Sequence, residues 1–371
     1  CYFIVLGTMV PYLPLYLQSL GFDAWHIGLL TSVMVGTKIV APNIWGWLAD
    51  RSGRRMAVIR VGCLMAALCF ALMLWRSDIA ALAVIIFLYS FFWNAVLAQF
   101  EAVTLFYLGP HAAHYSRIRL WGSIGFIAAV AVFGWLFDHV ALAVFPVIVL
   151  AGLLAIFASS WLVRDPPLHP HEQPQTDEDG FMARLRQPPV FIFLLVCFLM
   201  VLSHGPYYTF FSLLMERHGY SRTAIGLLWS LGVVAEVLIF WYMHRLLPWW
   251  GLRSQLLLSL ALTVLRWLLL AAMPENLPVM LFAQCLHAFS FGAFHAAAIE
   301  VVRRWFSRAQ AGKAQALYSA VGYGAGNALG ALASGALWQL GPALPFYCSA
   351  VVCTLALLLV WRGLPARLFA Q

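Results

Sequence analysis

Apolar runs long enough to cross a bilayer recur along the whole chain, and the polar positions collect in the short breaks between them. Ile79 to Phe100 and Val190 to Met215 show the pattern. A helix rises about 1.5 Å per residue, so roughly 20 apolar residues cross a ~30 Å hydrocarbon core. Breaks at charges, Gly and Pro predict helical spans at 1–20, 25–48, 55–76, 78–108, 116–137 and 140–163. Six more are predicted at 189–214, 222–245, 252–273, 277–305, 311–337 and 342–363. The pattern predicts an all-α membrane protein with twelve spans, an even number that leaves both termini on one side.

One long polar stretch interrupts the series. Residues 164–188 hold Pro166, Pro167, Pro170 and Pro174 and the acidic run Asp177, Glu178, Asp179. Such a composition reads as a flexible linker between an N-terminal six-helix bundle, 1–163, and a C-terminal one, 189–371. Arg76, Arg217 and Arg222 lie at one set of loops and Lys38 and Arg266 lie within spans, while the other basic residues fall at the opposite turns, the linker and the tail. Basic residues accumulate on the cytoplasmic side, so both termini are expected there, with the chain starting just inside a missing initiator segment.

Composition narrows the class. Of 371 residues, 63% are hydrophobic and 10% charged, far below the quarter or so expected of soluble domains. Trp25, Trp75, Trp161, Trp249, Trp250 and Trp361 sit near span ends, where an amphipathic ring suits the headgroup level. The net charge of +8 then reflects a face toward anionic lipid, and no basic helix or stacking platform suggests a nucleic acid. The seven Cys lie in apolar spans without paired spacing and read as small core residues, neither disulfides nor metal ligands. No His or Glu spacing such as H-E-x-x-H appears, so neither a metal, a cofactor nor an enzymatic centre is expected. A receptor or scaffold would need bulkier segments outside the membrane than the linker provides.

An internal repeat carries the organisation further. Arg119-Leu-Trp-Gly-Ser-Ile-Gly-Phe126 and Ala316-Leu-Tyr-Ser-Ala-Val-Gly-Tyr323 share the order Leu, aromatic, small, small, β-branched, Gly, aromatic, and each follows a membrane glutamate, Glu101 or Glu300. The turn after the second span, Gly46-Trp-Leu-Ala-Asp50-Arg51-Ser-Gly53-Arg54-Arg55, resembles the signature G-x-L-x-D-R-x-G-R-R of the major facilitator superfamily. Gly46 suits close helix approach, Gly53 a tight turn, and Asp50 a pairing with the Arg cluster, which the resemblance makes a conformational latch. The equivalent turn in the second half, ending Gly251-Leu-Arg253, lacks the Asp. The segments Thr37 to Asp50 and Gly312 to Gly324 are similar to the 3-phenylpropionate permease branch, which resembles lactose permease. The resemblance implies the major facilitator fold, solute and proton symport driven by a proton gradient, and alternating access about a central cavity. It also implies a monomer in a bacterial inner membrane, with solute, protons and lipid as its only partners.

Ionisable side chains within the membrane cost at least ~2–3 kcal/mol unless they face protein or water, so each is a candidate for function. Glu101 and Arg119, 18 residues apart, match the sugar-binding carboxylate and guanidinium of lactose permease, and a purely structural ion pair is the alternative. Glu236, Arg266 and His287 match, in order, residues that serve sugar binding and coupling there. Ser290 stands where that permease has its proton-carrying carboxylate, so coupling is expected to pass to Glu236, His287 or His295. Lys38 is a candidate counter-charge for a carboxylate, with snorkelling as the alternative. His204, Tyr207, Tyr208 and Phe211 form a stripe that could clasp an aromatic ring or simply pack, with Pro206 as a kink. Glu300, before Arg303 and Arg304, reads as a gate ion pair. Gly322, Gly326, Gly330 and Ser334 suit close helix packing or gating, as do Gly28, Ser32 and Gly36. Pro11 and Pro14 mark a bend in the first span.

The expected function is proton-coupled uptake of a small organic acid, aromatic such as a phenylpropionate-like compound. Lys38, Glu101, Arg119, His204, Tyr207 and His287 would meet the solute, and Glu236, Arg266, His287 and His295 the proton. A sugar or nucleoside symporter and a proton-driven drug exporter are the alternatives.

Overall fold

The computed structural model describes residues 1–166 and 178–366. Residues 167–177, the middle of the expected linker with Asp177, lie outside them. Among the described residues every regular element is helical. Helix α1 (Tyr2–Ser19) is followed by α2 (Ala24–Ser52), α3 (Arg55–Leu74), α4 (Ile79–Leu108), α5 (Arg117–His139) and α6 (Leu142–Ser160). After a short helix Glu178–Leu185 come α7 (Pro188–Arg217), α8 (Arg222–Met243), α9 (Leu252–Ala272) and α10 (Leu277–Trp305). Helix α11 runs as Arg308–Ser319, Ala320–Gly326 and Asn327–Leu340, and α12 is Leu344–Gly363.

Among the described residues, ten of these helices are long and apolar enough to cross a membrane, α1 and α11 being the exceptions. Helix α1 carries Pro11, Pro14, three tyrosines and Gln18, and α11 opens on Arg308, Gln310, Lys313 and Gln315, so both are helical at expected spans but less apolar than the rest.

Local chemistry sets where the helices start and break. Asp23, Asp78 and Asn276 accept from the backbone of His26, Ala81 and Val279 at 2.9, 2.9 and 3.2 Å, satisfying orphan N–H groups at the starts of α2, α4 and α10. Ser307 and Gln310 form a capping box on α11. Helix α2 tightens into a 3₁₀ turn at Thr37–Ile39, where Pro42 offers no N–H to the Lys38 carbonyl. Helix α7 breaks at His204, two residues before Pro206. Wide π turns occur at Ala288–Ala293 in α10 and at Ala320–Gly326 in α11, a geometry frequent at functional sites.

The chain divides into two compact units, Cys1–Pro170 with Thr209–Ser230, and His171–Tyr208 with Leu231–Gln371. In the first, α4 packs on α3 and α1 on α5. Residues 209–230 join it through α5. Asp138 accepts from the backbones of Arg222 and Thr223 at 2.8 and 2.9 Å, and a Cβ on Gly226 would overlap the Val130 carbonyl. In the second unit α9 and α7 pack on α12, and α7 lies against α11. The expected close packing of the α11 glycines is present there: a Cβ on Gly326 would reach 2.9 Å from the Phe198 carbonyl oxygen, and one on Gly330 would overlap that of Leu202.

Each unit repeats one device that motif reading missed. Arg60 near the start of α3 donates to the Val163 carbonyl at 2.9 Å and lies 4.4 Å over Trp161. Arg253 at the start of α9 donates to the Leu364 and Trp361 carbonyls at 2.7 and 2.8 Å. A guanidinium suits this position because it satisfies the carbonyls left open at a helix end.

Candidate functional site

The second unit contains a buried polar cluster around Arg266 of α9, which is 0% exposed. Its Nη1 donates to His287 Nδ1 and to Ser290 Oγ, each at 2.9 Å, and its Nη2 to Gln284 Oε1 at 3.1 Å. The Tyr207 hydroxyl donates to the same Gln284 oxygen at 3.1 Å. The guanidinium carbon lies 4.1 Å over the Tyr207 ring and 4.9 Å over Trp267. His287 Nε2 in turn lies 3.5 Å from Glu236 Oε2.

Three α10 residues at one-turn spacing, Gln284, His287 and Ser290, thus meet α9, and α8 reaches the same place through two glycines. A Cβ on Gly232 would lie 3.4 Å from Gln284 Oε1, and one on Gly292 would lie 3.3 Å from Glu236 Cγ. Ser290, which replaces the expected carboxylate, accepts from Arg266. The guanidinium is therefore held by neutral acceptors, and an acid enters the cluster only behind His287. A buried charge needs a complete set of partners, and removing one typically costs about 3–5 kcal/mol.

The predicted stripe on α7 divides. Tyr207 and His204 are buried in the second unit, His204 donating from Nδ1 to the Met200 carbonyl at 2.8 Å with its ring edge-on to Trp267. Phe211 belongs to the first unit and packs on Trp229. His295 lies two turns beyond His287 with Phe291 stacked between them at 5.6 and 6.0 Å, and the hydroxyls of Tyr318 and Tyr323 approach its Nδ1 at 2.9 and 3.0 Å. Glu300 pairs along its own helix with Arg303 at 2.6 Å and Arg304 at 2.8 Å.

In the first unit Glu101 and Arg119 come together more loosely, at 3.9 Å, with side chains 39% and 43% exposed. They line a cleft of about 300 Å³ with Tyr2, Phe3, Thr104, Tyr115 and Trp121, and Arg119 lies 4.2 Å over Phe3. Lys38 is half-buried in the 3₁₀ turn of α2 and is not among the residues lining this cleft. Its neighbour Thr37 accepts from Asn94 at 2.7 Å.

The signature turn is built as expected around Gly53, which ends α2 with φ 65°. Asp50 pairs with Arg55, whose other nitrogen donates to Gln99 at 2.8 Å. Arg51 lies 5.5 Å over Trp47, and Arg54 donates its backbone N–H to Ser52 at 3.3 Å. Gly46 is not a place of close approach: a Cβ there would meet only Gln99 Nε2, at 3.7 Å.

Motif reading missed Gln284, Tyr115, Trp267, Tyr318 and Tyr323. Gln284 had a usable signal, being a polar residue in an apolar span one turn before His287. Acid, imidazole and guanidinium in series inside a helix bundle can hold a proton and bind an anion, while the cleft offers both signs of charge to a polar solute.

The chain matches the profile of the MFS_1 like family over residues 1–348. It is 30% identical over 354 residues to a probable 3-phenylpropionic acid transporter of Escherichia coli (strain K12), covering 91% of this chain and 89% of that one. It is also 30% identical over 376 residues to a maltose permease of Geobacillus stearothermophilus, covering 98% and 92%. Among solved structures, the nucleoside transporter NupG superposes with a TM-score of 0.85 at 17% identity, covering 100% of this chain and 96% of that one. An inward-facing bacterial homologue of the lysosomal transporter Spinster gives a TM-score of 0.77 at 15% identity, covering 99% and 94%.

Proposed function

The chain belongs to the MFS_1 like family and is an integral membrane transporter, and from that premise we propose that it is a proton-coupled symporter importing a small organic acid by alternating access. The observation that carries the reading is the series Glu236, His287, Arg266 inside the membrane helices of the second unit. An acid linked through a neutral imidazole to a buried guanidinium offers a place for one proton and a positive charge for one anion.

In this proposal 1–163 and 189–371 act as the two six-helix halves, 164–188 as the linker, and both termini face the cytoplasm of a bacterium. Lys38, Arg119 and Glu101 meet the solute from the first half, and Tyr207, His204 and His287 from the second. Glu236, Arg266 and His287 handle the proton, with His295 and its two tyrosines beyond them. Asp50, Arg51, Arg54 and Arg55 with Gly46 and Gly53 form the latch, and Glu300 with its arginines a second ion-pair group. The name of the Escherichia coli relative supports an aromatic acid as the solute.

Purified protein in liposomes, given labelled aromatic acids, sugars and nucleosides with and without an inward proton gradient, tests the reading. Gradient-dependent accumulation of an acid is expected, and its absence for every acid overturns the proposal. A second reading, a sugar symporter, is favoured by the maltose permease relative together with the Glu101 and Arg119 pair, and predicts that sugars accumulate in the same assay.

A further inference from the structure

We infer that Glu236 binds the transported proton and that Gln284 and Arg266 are positioning residues that prevent His287 from doing so; this deepens the symport reading and rests on it.

Donors and acceptors fix the protonation of the ring. A guanidinium has only N–H donors, so the 2.9 Å contact from Arg266 Nη1 requires a lone pair on His287 Nδ1. The proton of the neutral ring is then on Nε2, which faces Glu236 Oε2 at 3.5 Å. A second proton could enter the ring only at Nδ1. It would replace a hydrogen bond with two cationic N–H groups facing each other, so the ring is closed to protonation while Arg266 stays where it is.

Gln284 keeps it there. The residue is 0% exposed, and its Oε1 accepts from Arg266 Nη2 and from the Tyr207 hydroxyl, both at 3.1 Å. Ser290 takes the second hydrogen of Nη1 at 2.9 Å. With the fork held at both ends, the imidazole tautomer is fixed, and His287 serves as a donor toward the Glu236 carboxylate.

Glu236 is the carboxylate that faces this locked ring. The charged and titratable side chains that bear on it include His287 of α10, Tyr207 and Tyr208 of α7, Tyr323 of α11 and, through His287, Arg266 of α9. Its side chain is 20% exposed, less enclosed than the 6% of His287. Adding a proton to the carboxylate turns a cluster with one positive and one negative charge into a cationic one, and a carboxylate solute then restores neutrality. Proton and anion cross together without net charge.

The tautomer can be read without any solute. In the full-length protein labelled with ¹⁵N-histidine, the signals lost in His287→Gln identify His287. Between pH 6 and 8 an Nε2–H ring is expected, and an Nδ1–H or doubly protonated ring overturns the inference.

Transport gives the second reading. With labelled 3-phenylpropionate as probe, a one-unit inward pH gradient should drive about tenfold accumulation by the wild-type protein. Glu236→Gln should fall to a ratio of about 1 while still exchanging solute across the membrane, and Glu236→Asp should keep part of the accumulation. Gln284→Leu should release the Arg266 fork, shift the pH profile of uptake and let the His287 signal titrate, with Gln284→Asn restoring part of the wild-type profile. A wild-type protein that accumulates no acid defeats the symport reading itself. Accumulation that survives in Glu236→Gln, with the wild type coupled, defeats the assignment of Glu236 alone.

Discussion

The two membrane acid and base clusters differ in construction. Glu101 and Arg119 face each other directly but at 3.9 Å, about two-fifths exposed, at the wall of a cleft. Arg266 is fully enclosed, held by three hydrogen bonds and two ring contacts of which none comes from a carboxylate, and meets its acid across an imidazole. A loose pair at this distance is weakly held and can trade partners with a solute at little cost. A buried fork whose two terminal nitrogens are both engaged is expensive to disturb and holds one protonation pattern. Under the proposed symport, the first would bind and release the solute and the second would hold the proton.

The largest effect expected from breaking this contrast is at Arg266. Arg266→Leu should abolish gradient-driven uptake and destabilise the protein by about 3–5 kcal/mol, because it leaves the acceptors of His287, Ser290 and Gln284 facing a hydrocarbon side chain at about 1–3 kcal/mol for each unsatisfied group. Thermal unfolding in detergent reads the second part. Arg266→Lys should recover some stability and little transport, since a lysine cannot fork to His287 and Gln284 at once.

The looser cluster should respond more mildly and in a different parameter. Arg119→Gln or Glu101→Gln is expected to raise the KM for solute about tenfold, the loss of roughly one charge-assisted contact, with accumulation at saturating solute largely kept. If either variant abolished accumulation and left KM unchanged, the division of labour between the clusters would be reversed.

Helix packing sharpens the comparison at a smaller scale. Gly330→Ala puts a methyl group into the Leu202 carbonyl between α7 and α11, where backbone has to shift, and about 1–3 kcal/mol of stability should be lost. Gly46→Ala meets one side-chain nitrogen at 3.7 Å and should leave thermal stability unchanged.

That last contrast marks how far the chain could be read before its structure. Helix class and the major facilitator fold were legible because bilayer thickness imposes a length on every apolar run, and the signature turn because Gly53 and the Asp50 to Arg55 group follow from backbone geometry and charge. The series Glu236, Arg266, His287 was visible as rare charges in apolar surroundings. Gln284 was hidden because a glutamine has no formal charge and its role depends on which helix α10 faces. The break of α7 at His204 followed from Pro206, whereas the assignment of 209–230 to the first unit depends on Asp138 capping α8, a contact across more than 80 residues that no local pattern announces. Gly46 was misread because small size permits a close approach without requiring one.

The smallest effect tests whether carboxylates outside the membrane helices share the pH dependence assigned to the Arg266 cluster. Asp23 caps α2 by accepting from the His26 backbone, and this hydrogen bond is the main reason its carboxyl lies below the ordinary carboxylate value, with the nearby His26 ring adding to it. A depressed folded-state pKa means the stabilisation is fully present above the ordinary value, near 3.9, and disappears as pH falls through the lowered one. Asp23→Ala should therefore lower thermal stability by a small, constant amount from pH 5 to 8, of the order of 0.5–1 kcal/mol for a capping contact, and the difference from wild type should shrink only in stronger acid. Transport by Asp23→Ala should follow the wild-type pH profile across that window. A changed profile would mean that groups at the membrane edge contribute to the pH response, and the tidy separation between a titrating cluster in the second unit and silent carboxylates elsewhere would fail.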